Sequence, residues 1–394
     1  MNTRAIKEYI RGIFPNIPFL KKHITRKRLA KFDVHLLSEA DVIRGENDAE
    51  AKRTIVADCL ARWPQYIAKT LASADNVLER APEYKDRTDK DALRTDMLFC
   101  RFAYGFQPDE YLCFELENRT MEQRREFISD IDRLRFIYLM NDIFRMPVFD
   151  NKAKTYQTFA PYFKREAVAI QKPADFAGFE SFVSRHPVFV KKAVYESCGR
   201  SVERIDMSTC GRTARELFDQ WTALGLHIIE ECVVQSEATA AFNASSVNTI
   251  RCITMNTQDG IVIPFTFMKI GRAGSFVDNG GAGGILVGID PKTGVLDTHG
   301  YDELNICYPS HPDSDIEFIG YPLPQWEQML SICREMSAKE PSMKCIGWDM
   351  AHTDNGWVVI EGNGKSQMIG PQIVYRRGTK KETEAIMHNM KLTV

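Results

Sequence analysis

In residues 347–363, two apolar runs flank Asp354-Asn355-Gly356. Asn and Gly accept the left-handed backbone conformations of tight turns, so the runs are expected to fold back on one another as a β-hairpin. With the turn centred near Asn355, Asp349 and Glu361 are equally far from that centre and should face each other, with Cβ atoms roughly 5 Å apart. Side chains alternate along a strand, so Asn363 shares the face of Glu361. Three oxygen ligands then converge. Two carboxylates and an amide oxygen, without a His or Cys among them, suit a hard divalent ion that keeps waters and shares phosphate oxygens, and magnesium is the natural choice. The plainer alternative is a half-exposed hairpin with ordinary polar residues. Against it stands the place of Glu361, directly after Val358-Val359-Ile360.

Short β-rich runs surround this hairpin at 188–194, 226–234, 247–254, 261–269, 285–289, 345–352 and 357–361, with helical stretches at 213–224 and 324–338. Strands and helices do not alternate regularly, which predicts an α+β body rather than a doubly wound sheet. From about 48 to 141 the pattern is helical. Ile55, Cys59, Leu60 and Trp63 recur at helical spacing, and a long helix over 121–144, capped by Thr120, should align Phe127, Ile131, Leu134 and Tyr138. The 51 Lys and Arg nearly balance the 53 Asp and Glu, which argues against a wholly basic nucleic-acid binder. Ten cysteines without a Cys-x-x-Cys pair read as reduced thiols, not as a zinc module or a disulfide framework. No long apolar run or secretory leader is visible, so the expected location is the cytoplasm. Charge departs from balance in one place: between Arg4 and Lys31 stand nine Lys or Arg and a single acid, Glu8. With Ile10, Ile13, Phe14, Ile17, Phe19 and Leu20 interspersed, the stretch fits a surface that meets anionic lipid or a polyanion. The plainer reading, which we prefer here, is a solvated first helix followed by a loop around Pro15 and Pro18.

Pro187-Val188-Phe189-Val190-Lys191-Lys192 reads as a buried strand ending in cations, followed by a small-residue turn that includes Ser197 and Gly199. A lysine there can meet a phosphate while the turn's backbone N–H groups hold its oxygens. A hairpin with a solvated Lys-Lys end fits the same residues, and no Walker loop is present. Run 226–234 carries Glu230 and Glu231 at its centre, placed either to meet an adenine amino group or ribose hydroxyls, or to line the outer face of an edge strand. Asn248 and Arg251 fall near one rim of 247–254, and an arginine within a β run wants an anionic partner, phosphate or structural carboxylate. Residues 271–284 are dense in glycine, as in backbones that approach ligands closely or move as lids, or in a plain flexible loop.

Taken in order, the Lys191 strand, Glu230-Glu231-Cys232-Val233, Ser246-Val247-Asn248-Thr249-Ile250-Arg251 and the 347–363 hairpin resemble the ATP-grasp superfamily. Within it they resemble the sugar-transfer-associated ATP-grasp family, also described as hexapeptide-transferase-like. The likeness spans roughly 142–377, and Tyr104-Gly105-Phe106-Gln107-Pro108-Asp109-Glu110-Tyr111 is similar to that family's N-terminal signature. The resemblance implies an α+β fold in which two α+β subdomains clasp ATP behind a mostly helical N-terminal region. The leader would span 1–141 and the ATP-grasp domain 142–394, with a first lobe over 142–234 and a second over 235–394. Lys152 and Lys191 would reach the phosphates, and Glu230, Glu231 and the backbone near Val233 would hold adenine. Lys269 would reach phosphate from the neighbouring strand, and Asp349, Glu361 and Asn363 would bind one or two magnesium ions. The chain departs from the family in two places. The turn after Lys192 is poor in glycine, and Gly347 stands where relatives carry a phosphate-binding arginine, leaving Arg251 or Arg272 to supply that charge. The implied reaction joins a carboxylate to an amine at the expense of ATP, in cell-surface polysaccharide or related small-molecule synthesis. A kinase using the same site, or a nucleotide-binding scaffold of a membrane glycan assembly docked by the basic leader, are the competing readings.

Overall fold

In a computed structural model, residues 18–196, 202–278, 280 and 283–392 are described. The strands form two antiparallel sheets. β1 (Ala167–Ile170), β2 (Val188–Ala193), β3 (Glu203–Asp206) and β4 (His227–Glu231) make the smaller, in the order β1-β4-β2-β3. The larger contains β5 (Thr249–Thr257), β6 (Gly260–Ile270), β7 (Ile285–Ile289), β8 (Leu296–Tyr301), β9 (Cys307–Tyr308), β10 (Cys345–Thr353) and β11 (Gly356–Asn363), in the order β11-β10-β5-β6-β7-β8-β9.

Alternation along the strands gives the smaller sheet two unlike faces. On one, Phe189 and Ile229 pack against Phe179 and Phe182 of the helix Phe176–Arg185 and against Leu217, Phe218 and Trp221 of the helix Ala214–Leu224. That second helix starts at a capping box, in which Thr213 Oγ1 accepts from Glu216 N and the Glu216 carboxylate accepts from Thr213 N, satisfying two free backbone donors. On the other face Ile228, Ala167 and Ala169 meet Ala153 and Tyr156 of the helix Lys152–Phe163. At Phe159 the backbone leaves helical geometry and the segment kinks, with Pro161 beyond it, and Phe159 and Phe163 enter the core of the larger sheet. One kinked helical segment therefore lies between the sheets and packs against both.

The core of the larger sheet is closed by the helix Trp326–Ala338, which buries Met329, Cys333 and Met336 and receives a hydrogen bond from Trp348 Nε1 to Ser337 Oγ at 2.9 Å. It also takes in Ile128, Phe136, Ile137 and Met140 from the helical region. The long helix expected over 121–144 is two helices, Met121–Arg124 and Asp130–Met140. Each has its own cap: Thr120 accepts from Gln123 N at 3.3 Å and Ser129 from Asp132 N at 3.2 Å. Between them Phe127 and Ile128 turn inward and are fully buried. N-terminal to these, the helices Glu39–Asn47, Ala49–Arg62 and Lys90–Tyr104 share a buried ion network in which Arg124 reaches Glu46 at 3.2 Å and Asp96 at 2.6 Å.

Candidate active site

The hairpin pairs Asp349 with Glu361, as the sequence indicates, but by a different route. Thr353 pairs with Gly356 and Met350 with Val359, so the turn centres between Asp354 and Asn355 and regular pairing would set Asp349 against Ile360. A register shift between Asp349 and Met350 leaves Ile360 as an extra residue. This β-bulge advances the strand by one position and returns Glu361 to the face of Asp349. Gly347 then pairs with Asn363, whose Nδ2 lies 3.4 Å from Asp349 Oδ2.

Register carries the same face across the sheet. Asp349 pairs with Arg251, and Thr249 pairs with Lys269. Arg251 donates to both carboxylate oxygens of Asp349, at 2.6 and 2.9 Å, and Lys269 Nζ lies 3.4 Å from Oδ2. Burial pushes the Asp349 carboxyl up, but Arg251 and Lys269 outweigh it and hold it below the usual range. Lys269 also approaches Asp278 at 3.7 Å, and Thr249 Oγ1 donates to the same carboxylate. Asp278 is buried, and burial raises its pKa despite Lys269. Sequence reasoning passes over this residue, although it is the only acid in the glycine-dense segment 271–284. From the first lobe, Lys152 Nζ reaches Glu361 Oε1 at 3.3 Å and also donates to Glu196 O.

Gly347 has a steric cause. A Cβ there would lie 2.2 Å from Ser366 Oγ and 3.2 Å from Arg251 Cδ, so the space an arginine would need at this position is already filled, in part by Arg251 itself. Of the two arginines proposed to replace it, Arg251 is the one at the acid cluster. Arg272 is held elsewhere by Asp313, with Nε and Nη2 at 2.8 and 3.0 Å from its oxygens, a bond that with Ala273 N holds the Asp313 carboxyl down at about 2.

On the smaller sheet, strand alternation separates the paired lysines. Lys191 shares the helix-covered face of Phe189, where its Nζ donates to Glu203 at 2.7 Å and sits 5.7 Å from the Trp221 ring centroid. Lys192 points the other way, to Glu230 at 3.0 Å. Lys191, expected at the phosphates, thus lies on the helix-covered face, and Lys192 occupies the inner face. Burial lowers the Lys192 pKa, partly offset by Glu230.

Glu230 is not a free acid. Arg165 donates to its Oε2 from Nε and Nη2 at 2.9 and 2.7 Å, and from Nη1 to Val359 O at 2.7 Å, beside the bulge. Burial pushes the Glu230 carboxyl up, yet Lys192 and Arg165 bring it to about 2. Arg165 carries no sequence signal, since Lys164-Arg165-Glu166 at a helix end reads as solvated charge. Glu231 faces away from Glu230, and its carboxylate accepts from Glu166 N at 3.2 Å. Val233 follows β4 in an irregular stretch. Asn248 is fully buried and fully used: Nδ2 donates to Thr239 O and Asn243 O, and Oδ1 accepts from Gly271 N and Ser246 Oγ. Its side chain, expected to bind cofactor, braces the loop into β5 with all four of these bonds made within the protein. Ser197, Gly199 and Asn279 lie outside the described residues.

Asn363 turns its amide nitrogen to Asp349, and the opposite orientation of the same amide would add its oxygen to those of Asp349 and Glu361. Among the described residues no three His, Cys, Asp or Glu side chains gather as a metal cage. A site with two carboxylates and one amide fits a hard ion that takes its remaining ligands from water and phosphate.

Two antiparallel sheets with a helix between them, and an acid–cation cluster on the inner face of the larger, make up the ATP-grasp fold. The chain belongs to the sugar-transfer associated ATP-grasp family, whose sequence pattern matches residues 132–388. No curated protein matches it. Among solved structures it is similar to the ATP-grasp ligase PsnB complexed with minimal precursor, at 9% identity over 64% of this chain and 63% of that one, with a TM-score of 0.39. It is also similar to the D-alanine-D-alanine ligase of Helicobacter pylori, at 10% identity over 64% of each chain and a TM-score of 0.38. A third is the N5-carboxyaminoimidazole ribonucleotide synthetase of Thermotoga maritima, at 11% identity over 64% and 52% of the two chains, with a TM-score of 0.38. The chain spans less than two thirds of the length of each.

Proposed function

We propose that the protein is an ATP-dependent carboxylate–amine ligase that forms an amide through an acyl phosphate. The observation that carries this reading is the pairing of Asp349 with Glu361 inside a ring of cations, Arg251, Lys269 and Lys152, opposite Lys192. A carboxylate is a poor electrophile at neutral pH. Moving the γ-phosphoryl of ATP onto its oxygen, with loss of ADP, makes the carbonyl carbon open to attack by an amine, and phosphate then leaves. Phosphoryl transfer depends mainly on alignment and on neutralising the charge of the transferred oxygens. One or two magnesium ions held by Asp349, Glu361 and Asn363 would supply part of that neutralisation. Lys152 and Lys192 bring cations to the triphosphate from the first lobe, Lys269 does so from β6, and Arg251 keeps Asp349 ionised and oriented. The backbone of Glu231 to Val233 is the segment left to hold adenine, because Glu230 is committed to Arg165 and Lys192. The glycine-dense segment that carries Asp278 adjoins the carboxylate substrate. The substrates we infer are a small acid and an amine belonging to cell-surface polysaccharide or related synthesis, in keeping with the family's association with sugar transfer. No helix among the described residues is long and apolar enough to cross a membrane, and we place the reaction in the cytoplasm.

The test is incubation with ATP, magnesium and pools of amino acids, sugar acids and amino sugars, following ADP, phosphate and new masses. An amide with free phosphate supports ligation. A stable phosphorylated acceptor replaces it with the kinase reading, and nucleotide binding without turnover replaces it with the scaffold. Glu361→Gln, at a part-exposed position, should leave the fold intact and lower turnover by about a hundredfold or more.

A further inference from the structure

The ligase chemistry does not use the basic leader. We propose that the helix Pro18–Leu29 docks the protein on an anionic phospholipid bilayer. The helix has no acid in its first turn and ends in Arg26, Lys27 and Arg28. Two of its cations hold it to the body: Lys21 pairs with Asp142, and the Arg28 guanidinium lies 5.7 Å from the Tyr138 ring centroid. Thr25 is buried on the packed side, while Phe19, His23, Arg26 and Lys27 are exposed. Their spacing of four, three and one residues puts these four side chains on one face of the helix. Lys22, Arg26, Lys27 and the nearby Lys31 have no acidic partner among the described residues, and the neighbouring Asp33 is taken by Arg135. Phe19 is 80% exposed, more than any other large hydrophobic residue among those described.

In a chain of net charge −2 these cations fall in one basic stretch of the sequence, Arg4 to Lys31, which holds nine Lys or Arg against the single acid Glu8. A polyanion such as a nucleic acid would use the cations and leave the aromatic ring in water. A bilayer uses both, with the cations at phosphate headgroups and the ring at the edge of the acyl region.

Sedimentation of the full chain with phosphatidylcholine vesicles, with and without phosphatidylglycerol, tests this. Binding is expected only to the anionic vesicles and should fall as salt rises. Arg26→Ala and Lys27→Ala should each weaken it by about fivefold, and Phe19→Ala should weaken it while leaving the salt dependence unchanged. Unchanged thermal unfolding of the variants shows that they are folded. Equal binding to neutral vesicles, or binding to neither kind, overturns the proposal. So does vesicle binding that is insensitive to Phe19→Ala and is competed equally by polyphosphate, which marks a polyanion surface, or insensitivity to all three substitutions, which puts the contact outside this helix.

Discussion

Arg165, Lys192 and Glu230 form a buried triad in which each charge depends on the others. Removing Glu230, the one anion of the set, strands two cations in a dry interior, at a cost of about 3–5 kcal/mol. Glu230→Gln should therefore destabilise the protein by that order in urea unfolding at neutral pH. The triad also sets an acid limb. The Glu230 carboxyl falls from 4.5 to about 2 on folding, and a lowered carboxylate stabilises the fold above its unfolded pKa and loses that contribution as pH falls through its folded one. Wild-type stability should thus decline between about pH 4.5 and pH 2 through this group, and that part of the decline should be absent in the Glu230→Gln variant. At the paired lysines, Lys192→Ala should raise the KM for ATP, whereas Lys191→Ala should leave it near wild type, because Lys191 faces Glu203 and Trp221. Equal effects of the two would return Lys191 to the phosphates. The sequence places two cations at a strand end, and only the pleat, fixed by Phe189 packing against Trp221, says which one faces inward.

The hairpin shows what a single element can and cannot carry. Asp354-Asn355-Gly356 suffices to predict two antiparallel strands, and Gly356 closes the turn at φ +82°. The facing of Asp349 and Glu361 is a different matter, since regular pairing from that turn puts Glu361 on the wrong side and the bulge at Ile360 restores it. No residue in 347–363 announces that bulge. Part of its support comes from Arg165, which donates to Val359 O from outside the hairpin. On the same element, Gly347→Ala should cost about 1–3 kcal/mol by overpacking against Ser366. Thermal unfolding should show part of that loss recovered when Ser366→Gly is added, and no recovery would mean that the clash is not the cause.

Across the whole molecule, the helical region and the ATP-grasp body share a core. Ile128, Phe136, Ile137 and Met140 pack with the larger sheet, and Gln372 bonds both the N–H and the carbonyl of Ile128, at 2.7 and 3.0 Å. We therefore propose that the folding unit of the body begins nearer 128 than 142. Each such side chain contributes about 1.5–3 kcal/mol by burial, and four of them rival the ~5–15 kcal/mol net stability of a typical domain. A chain beginning at Asp142 should lack a cooperative thermal transition, whereas one beginning at Ile128 should keep one. A sharp transition in the shorter chain would show that the leader is a separate unit.

The sequence by itself determined the α+β class, the hairpin with its two carboxylates and its amide, and the family, because these rest on local turn chemistry, on residue periodicity and on motifs that lie within a few residues of each other. Only the tertiary structure decided that Arg251 and not Arg272 meets the acids, that Asp278 joins them, that Glu230 is neutralised by Arg165, and that Asn248 braces a loop. Those outcomes depend on strand register and on contacts between segments tens to hundreds of residues apart, where each charged or polar side chain must find a partner once water is removed.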